Sequence, residues 1–154
     1  MMDAHTSLVG VRELASAGHR CFASDEEVES WIDSGLDIET CGLRLFGYPA
    51  QSNMTGYRPP LEWAGQIRDK TQLHKSRTYT LLDAASYLTT GILDLSNANT
   101  APDFIALSFY KIFGFPDLGA LIVRKDAGEA LLSRRYFGGG TVNVVVAVGD
   151  SWHR

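Results

Sequence analysis

The chain has 154 residues, of which 45% are hydrophobic, and its formal net charge is −4. This length and composition predict one domain with ample apolar residues for a core, and the acidic balance argues against a nucleic-acid or acidic-membrane surface. Two cysteines, Cys21 and Cys41, predict reduced thiols rather than a disulfide framework, and residues 1–5 lack a basic start followed by an apolar stretch, so we expect a cytoplasmic protein.

The first half of the chain alternates between predicted helices and strands. In chain order these are a helix at residues 7–17, a strand at 20–23, a helix at 25–35, a strand at 43–48 and a helix at 61–70. The second helix has the clearest signals. Ser24-Asp25-Glu26-Glu27 is a capping box, and Val28, Trp31 and Ile32 then fall on one face. Residues 51–60, rich in Gly, Pro, Asn and Ser, predict a loop.

The second half continues the pattern with three strands and a short helix. The strands are predicted at residues 79–83, 104–107 and 120–124, and the helix at 128–135. Residues 104–107 are continuously apolar, which is typical of a strand buried on both faces of a parallel sheet. The alternation predicts an α/β layered domain with a mainly parallel sheet. Gly138-Gly139-Gly140 lacks the spacing and the lysine of a nucleotide-binding loop, so we interpret it as a tight backbone passage.

A charged residue follows each of two apolar strands. Asp83 ends the first, and Lys111 stands shortly after the second, 28 positions further along the chain. Because that separation suits one strand, crossover and strand unit, we expect both residues at the same edge of the sheet. Ligands bind outside the carboxyl ends of the strands in open sheets of this kind. The spacing therefore predicts a site that contains both charges.

A lysine and a carboxylate so placed have a joint use in pyridoxal phosphate chemistry. Lys111 would carry the cofactor aldehyde as an imine, and Asp83 would keep the pyridinium nitrogen protonated. Burial near Phe109, Tyr110 and Phe113 would favour the neutral amine. Two ordinary readings stay open from spacing alone: a partly buried ion pair between neighbouring strands, and a lysine that reaches into solvent from a strand end.

Eight short segments match one known family in the same order along the chain. They lie at residues 5–10, 48–53, 82–87, 93–96, 103–105, 108–114, 118–121 and 136–141. This series resembles the aminotransferase-like domain of the molybdenum cofactor sulfurases, a branch of the class V aminotransferases beside the cysteine desulfurases. The resemblance implies the three-layer α/β/α large domain of the fold type I PLP-dependent transferases, with a mainly parallel sheet that is incomplete in this chain.

The resemblance implies pyridoxal 5′-phosphate (PLP) as the cofactor and gives individual residues a role in binding it. Lys111 matches the lysine that holds the cofactor covalently, and Asp83 matches the partner of the ring nitrogen. His5 matches the histidine that stacks on the ring, and Asn53 matches the asparagine near the phenolic oxygen. Ser108 matches a hydroxyl that binds the phosphate. No metal site is assigned.

Two positions depart from the cysteine desulfurases and favour the sulfurase branch. Ser86 falls where the desulfurases carry a glutamine, and Tyr110 falls where they carry a histidine; we assign Ser86 to the cofactor site as well. Apart from the resemblance, His5 near the start of the chain is typical of a solvated side chain, and Asn53 is typical of a turn residue.

The resemblance implies that sulfur is taken from L-cysteine, with release of L-alanine, and transferred to the molybdenum cofactor. Residues 1–154 are expected to be part of a PLP-binding large domain, with a phosphate-binding N-terminal segment, a small domain and a molybdenum-cofactor-binding domain outside them. We expect a homodimer when complete and no activity from this segment alone. The alternatives are a cysteine desulfurase, another class V aminotransferase, or a remnant without catalysis.

Overall fold

The computed structural model describes residues 3–36, 42–71 and 77–132. Residues 1–124 form one compact unit, in which four strands make a sheet with the order β1-β2-β3-β4. The strands are β1 Arg44–Pro49, β2 Thr78–Asp83, β3 Phe104–Ser108 and β4 Gly119–Val123. β1, β2 and β3 run parallel, whereas β4 is antiparallel to β3. The predicted α/β class with a mainly parallel sheet is confirmed.

Four α-helices accompany the strands in the described ranges. They are α1 Thr6–Gly10, α2 Asp25–Asp33, α3 Trp63–Thr71 and α4 Phe109–Phe113, with 3₁₀ turns at Val11–Leu14 and Tyr87–Thr89. A second unit comprises residues 125–154, and its described part contains a 3₁₀ turn at Gly128–Leu131. None of the helices in the described ranges is long and apolar enough to cross a membrane.

One face of the sheet carries an aromatic core. Tyr48, Leu82 and Ile105 are paired across β1, β2 and β3, and each is almost fully buried. The Trp63 ring of α3 packs on the Tyr48 ring with a centroid distance of 5.6 Å. Val28 of α2 belongs to the same cluster. Burying this apolar row fixes the register, because a shift by one residue would turn every one of these side chains to the other face.

The opposite face is approached by α1. Gly47 alternates with Phe46 and Tyr48 and therefore faces away from the aromatic core. A Cβ atom at Gly47 would lie 2.9 Å from Leu8 Cδ1. The absence of a side chain at Gly47 therefore allows α1 to lie this close to the sheet. With α2 and α3 on one face and α1 on the other, the unit has the three-layer arrangement that was predicted.

Two predictions in the N-terminal region are corrected. No strand forms at residues 20–23, because the N–H of Ala23 is taken by the Glu27 carboxylate at 2.8 Å and Phe22 packs by itself on the Trp31 and Phe46 rings. The helix expected at residues 7–17 ends early, at Gly10, and tightens into a 3₁₀ turn. None of its residues is buried, so tertiary packing does not extend it.

The remaining elements follow the sequence closely. Ser24 Oγ accepts from the N–H of Glu27 and caps α2 as the capping box predicts. β4 forms where expected, and Gly119 is required there because a Cβ atom would lie 2.6 Å from the Leu107 carbonyl oxygen. Cys21 is an exposed free thiol. Gly138-Gly139-Gly140, Cys41 and the end of the helix predicted at 128–135 lie outside the described residues.

Candidate functional site

A cleft of about 390 Å³ opens at the carboxyl ends of β1, β2 and β3. Leu81, Asp83, Ala106 and Ser108 are alternate residues of β2 and β3, so the cleft lies on the sheet face opposite the aromatic core. All six residues predicted for the site line it: His5, Asn53, Asp83, Ser86, Ser108 and Lys111. The fold therefore gathers residues from four separate segments of the chain.

Lys111 is held in the cleft by neutral oxygen atoms. Its Nζ donates to Asn53 Oδ1 at 2.8 Å and to Ser86 Oγ at 3.3 Å. Ser86 Oγ in turn donates to Asn53 Oδ1 at 2.9 Å, which closes a triangle of hydrogen bonds. Asn53 and Lys111 are 58 residues apart in sequence, so only the folded sheet brings these groups together.

The short helix α4 sets the position of the lysine. Ser108, the last residue of β3, accepts from the backbone N–H of Lys111 at 3.3 Å and so caps α4. The helix ends at Gly114, whose φ of +76° is the left-handed conformation that glycine adopts at little cost. Ser108 thus has a structural role beside the phosphate role predicted for it.

Asp83 lies at the base of the cleft, at the end of β2, and is half-buried. Its Oδ1 accepts from the N–H of Ala85 at 3.1 Å in a turn that follows the strand. The two charges predicted to share one sheet edge do so, but Asp83 and Lys111 form no ion pair within the described part of the chain. The ion pair between neighbouring strands that spacing alone left open therefore does not form between these two residues.

His5 begins α1 and forms part of the cleft wall. Its Nδ1 accepts from the backbone N–H of Ser7 at 3.3 Å and lies 2.8 Å from Ser7 Oγ. A backbone N–H only donates, so Nδ1 is the acceptor in this contact. The residue is exposed, as its position near the start of the chain suggested, yet its ring is fixed at the cleft by the helix cap.

The loop that carries Asn53 is organised by its neighbours. Ser52, 1% exposed, accepts from the N–H groups of Met54 and Thr55, so the turn does not need the Asn53 side chain. The Tyr57 hydroxyl donates to the Asp25 carboxylate and fastens the loop to α2. This hydrogen bond also raises the Tyr57 pKa, because it holds the proton on the phenol. Asn53 is thereby left free to bind Lys111.

The aromatic surroundings of Lys111 differ from the expectation. Tyr110 is 61% exposed and Phe113 is 66% exposed, and Lys111 itself is exposed. Phe109 and Phe113 pack on each other, with ring centroids 6.1 Å apart, rather than over the amine. The predicted burial of the amine by these rings is wrong for the described residues, because α4 turns Tyr110 and Phe113 outward. Tyr110 does not line the cleft.

Gln51 is a cleft residue that the sequence reasoning missed. It follows β1 and lines the cleft, and its Oε1 accepts from Arg58 Nε at 2.8 Å. The signal available in the sequence was weak, since Gln51 stands in the polar loop only two residues before Asn53. Within the described ranges, no group of three or more His, Cys, Asp or Glu side chains is placed to hold a metal ion.

A family model and curated relatives both match this chain. Residues 13–153 match the family model described as aminotransferase class V. The molybdenum cofactor sulfurases of Aspergillus fumigatus (strain CBS 144.89) and Aspergillus terreus are 62% and 61% identical to the chain over 152 and 153 residues. Each alignment covers 99% of this chain and 18% of the relative, so the chain spans less than a fifth of the relatives' length.

Solved structures show the same fold. The serine palmitoyltransferase of Sphingomonas wittichii matches 84% of this chain and 32% of its own, with a TM-score of 0.57 and 20% identity. A structure of SPT with its PLP internal aldimine matches 83% of this chain and 32% of its own, with a TM-score of 0.58 and 18% identity. The architecture is that of the fold type I PLP-dependent transferases, and by its match over residues 13–153 the chain belongs to the aminotransferase class V family.

Proposed function

We propose that the chain is the PLP-binding part of a sulfurtransferase that takes sulfur from L-cysteine, releases L-alanine and passes the sulfur to the molybdenum cofactor. The relatives named molybdenum cofactor sulfurase, identical at 62% of the aligned positions, support this reading. The observation that carries it is the cleft, in which Lys111 and Asp83 meet without pairing. A lysine kept apart from the carboxylate leaves both groups available to a ligand.

The cleft fits PLP by its chemistry. When bound, PLP supplies a ring that draws electrons from the α-carbon of an attached amino acid. Lys111 would hold the cofactor covalently through Nζ. Asp83 would bind the ring N–H: its Oδ1 is engaged by Ala85, and its Oδ2 has no hydrogen-bond partner among the described residues. A carboxylate with a free oxygen at the base of a cleft is an apt acceptor for that proton.

Two further residues would orient the cofactor. The His5 ring, fixed through Nδ1 by Ser7, would cover one face of the pyridine ring. Ser108 Oγ accepts from the Lys111 backbone, which leaves the hydroxyl proton to be donated to a phosphate oxygen. Each side chain therefore makes a hydrogen bond within the protein and would make a second contact with the ligand. For His5 this contact is ring stacking, and for Ser108 it is a hydrogen bond.

Asn53 and Ser86 would hold the Lys111 amine when it is not bound to the cofactor. They hold Nζ by an amide oxygen and a hydroxyl, both neutral. When the lysine is engaged elsewhere, no unpaired charge is left behind, whereas release from a carboxylate would leave one. This arrangement suits an amine that must alternate between the cofactor and its resting contacts during each turnover.

The test uses a hybrid protein, in which this chain replaces the 152 matched residues of the Aspergillus fumigatus relative. We expect the hybrid to bind PLP with a visible absorbance band, and borohydride reduction to fix the cofactor on Lys111. Lys111→Ala should abolish the adduct, and the matched exposed-lysine variant Lys70→Ala should retain it. Lys111→Arg should not rescue it, because guanidinium stays protonated.

Two outcomes would contradict the proposal. Peptide mapping that finds the reduced cofactor on another residue would remove Lys111 from the site. A hybrid that binds PLP on Lys111 but releases no L-alanine from L-cysteine would retain the cofactor and exclude the sulfurtransferase reaction.

A further inference from the structure

Gln51 presents a hydrogen-bond donor to the cleft. Its side-chain oxygen accepts from Arg58 Nε at 2.8 Å. Because a guanidinium group has only donors, the atom that faces it must be the amide oxygen, which fixes the orientation of the amide. The NH₂ group of Gln51 is then the polar end left for the cleft that this residue lines, and it has no hydrogen-bond partner among the described residues.

Arg58 is itself held rigidly. One of its terminal nitrogens donates to Thr90 Oγ1 at 2.9 Å, and the guanidinium carbon lies 4.9 Å from the centre of the Tyr87 ring. Hydrogen bonds on two sides and a ring beneath restrict the guanidinium to one plane. Arg58 can therefore act as a positioning residue that keeps the Gln51 amide from turning over.

The sheet gives Gln51 a definite side of the cleft. Gln51 follows β1, Asp83 ends β2 and Ser108 ends β3. Neighbouring strands are about 4.8 Å apart, so β1 and β3 are about 10 Å apart, with β2 and its terminal Asp83 between them. In PLP the phosphate-bearing carbon and the phenolic carbon lie on opposite sides of the axis that runs from the ring nitrogen to the aldehyde-bearing carbon. With Asp83 at the nitrogen and Ser108 at the phosphate, Gln51 lies on the phenolic side.

We infer that Gln51, held by Arg58, binds the carboxylate of the amino acid substrate through its NH₂ group. The inference rests on the proposed function, because it takes the assignments of Asp83 and Ser108 from it. Charge repulsion keeps the substrate carboxylate away from the phosphate, which leaves the phenolic side. A rigid N–H donor suits a carboxylate and distinguishes amino acids from simple amines.

The experiment compares two ligands of the PLP-loaded hybrid protein. L-Alanine and ethylamine carry comparable amines, but only alanine has a carboxylate. Their dissociation constants are measured from the change in visible absorbance, without turnover. We expect Gln51→Leu to raise the constant for alanine about 10-fold, the loss of one hydrogen bond to a charged group, and to leave that for ethylamine within about twofold. Gln66→Leu, at an exposed glutamine of α3, is the matched control.

Two more variants keep the test decisive if Gln51→Leu does not fold. Gln51→Glu keeps an oxygen for Arg58 but turns a charged oxygen to the cleft, so alanine binding should weaken further than in Gln51→Leu. Arg58→Met should weaken alanine binding in part, because the amide is then free to rotate.

Three results would overturn the inference. An unchanged constant for alanine would show that Gln51 does not contact the carboxylate. Equal losses for alanine and ethylamine would indicate a contact with the cofactor itself. A hybrid protein that fails to bind PLP before any substitution would contradict the proposed function and the inference with it, and is distinguishable because no absorbance band appears.

Discussion

Asp103, the residue immediately before β3, joins β3 to β2 through a buried carboxylate. The residue is 3% exposed. Its Oδ2 accepts from the Thr80 N–H at 2.9 Å and from the Thr80 hydroxyl at 3.0 Å. Three guanidinium groups lie within 4 Å of its Oδ1: Arg68 at 3.4 Å, Arg77 at 3.5 Å and Arg124 at 3.8 Å. We expect Asp103→Asn to destabilise the fold strongly.

Arg77 and Arg68 contribute unequally to the stability that Asp103 provides. Arg77 has a side chain 37% exposed to solvent, so its ion pair is worth at most about 1 kcal/mol. Arg68 has a side chain only 10% exposed, and removing its counter-charge leaves a buried cation, which costs about 3–5 kcal/mol. Carbonyl oxygens of Ala98 and Asn99 still accept from Arg68, which places the expected loss near the lower end. Asp69→Asn, on the exposed side of α3, should change stability by less than about 0.5 kcal/mol.

Urea unfolding followed by tryptophan fluorescence measures this loss, because Trp63 is buried in the core. The midpoint should fall while the slope stays constant. The double variant Asp103→Asn with Arg68→Met should lose less than the sum of the two single variants, since each single change leaves the other partner unpaired. A loss below about 1 kcal/mol for Asp103→Asn, or strict additivity in the double variant, would refute the reasoning.

Two further predictions concern Asp83 and Tyr48. Asp83→Asn in the hybrid protein should leave PLP bound but lower the turnover of L-cysteine by about two orders of magnitude or more, because an amide has no charge to keep the ring nitrogen protonated; unchanged turnover would assign Asp83 a structural role. Burial raises the pKa of Tyr48, whose hydroxyl donates to the Leu61 carbonyl at 3.1 Å. Because the folded-state pKa lies above the unfolded value of about 10, the hydroxyl's contribution to stability is full below that pH and is lost as pH rises above it. Tyr48→Phe should therefore cost about 1 kcal/mol at pH 7 and flatten the alkaline fall in the unfolding free energy; parallel curves for the two proteins would contradict this.

Most elements of the fold were predictable because local signals and burial agree. The Ser24 cap and the apolar face with Val28 and Ile32 define α2 in the sequence, and the structure buries that face. The prediction of a strand at residues 20–23 was wrong because strand propensity alone does not provide a neighbouring strand to pair with. Phe22 is buried against the Trp31 and Phe46 rings without being in a strand, and the sequence pattern of a short apolar segment does not distinguish such burial from a strand.

For the site, the sequence could predict only which strand ends come together. The 28-residue spacing and the parallel sheet place Asp83 and Lys111 at one cleft, and the family resemblance adds Asn53 and His5. Spacing could not show that Lys111 binds Asn53 and Ser86 instead of Asp83, because that choice depends on the direction in which α4 leaves β3. Nor could it orient the amide of Gln51, which depends on a contact with Arg58 seven residues away.

The two ends of β3 have different roles, one in stabilising the fold and the other in positioning the site. Just before its start, Asp103 binds Thr80 of β2 and several arginines. At its end, Ser108 caps the helix that carries Lys111. Five residues of strand separate these ends by about 16 Å, beyond direct contact. Charges used for stability are thus kept in the protein interior, where they are paired, while Asp83 and Lys111 stay unpaired with each other at the opposite end. If this division holds, substitutions at Asp103 should change the unfolding free energy of the hybrid protein but spare the PLP adduct of the molecules that remain folded. Asp83→Asn should instead lower the turnover of L-cysteine while the unfolding free energy and the bound PLP stay the same.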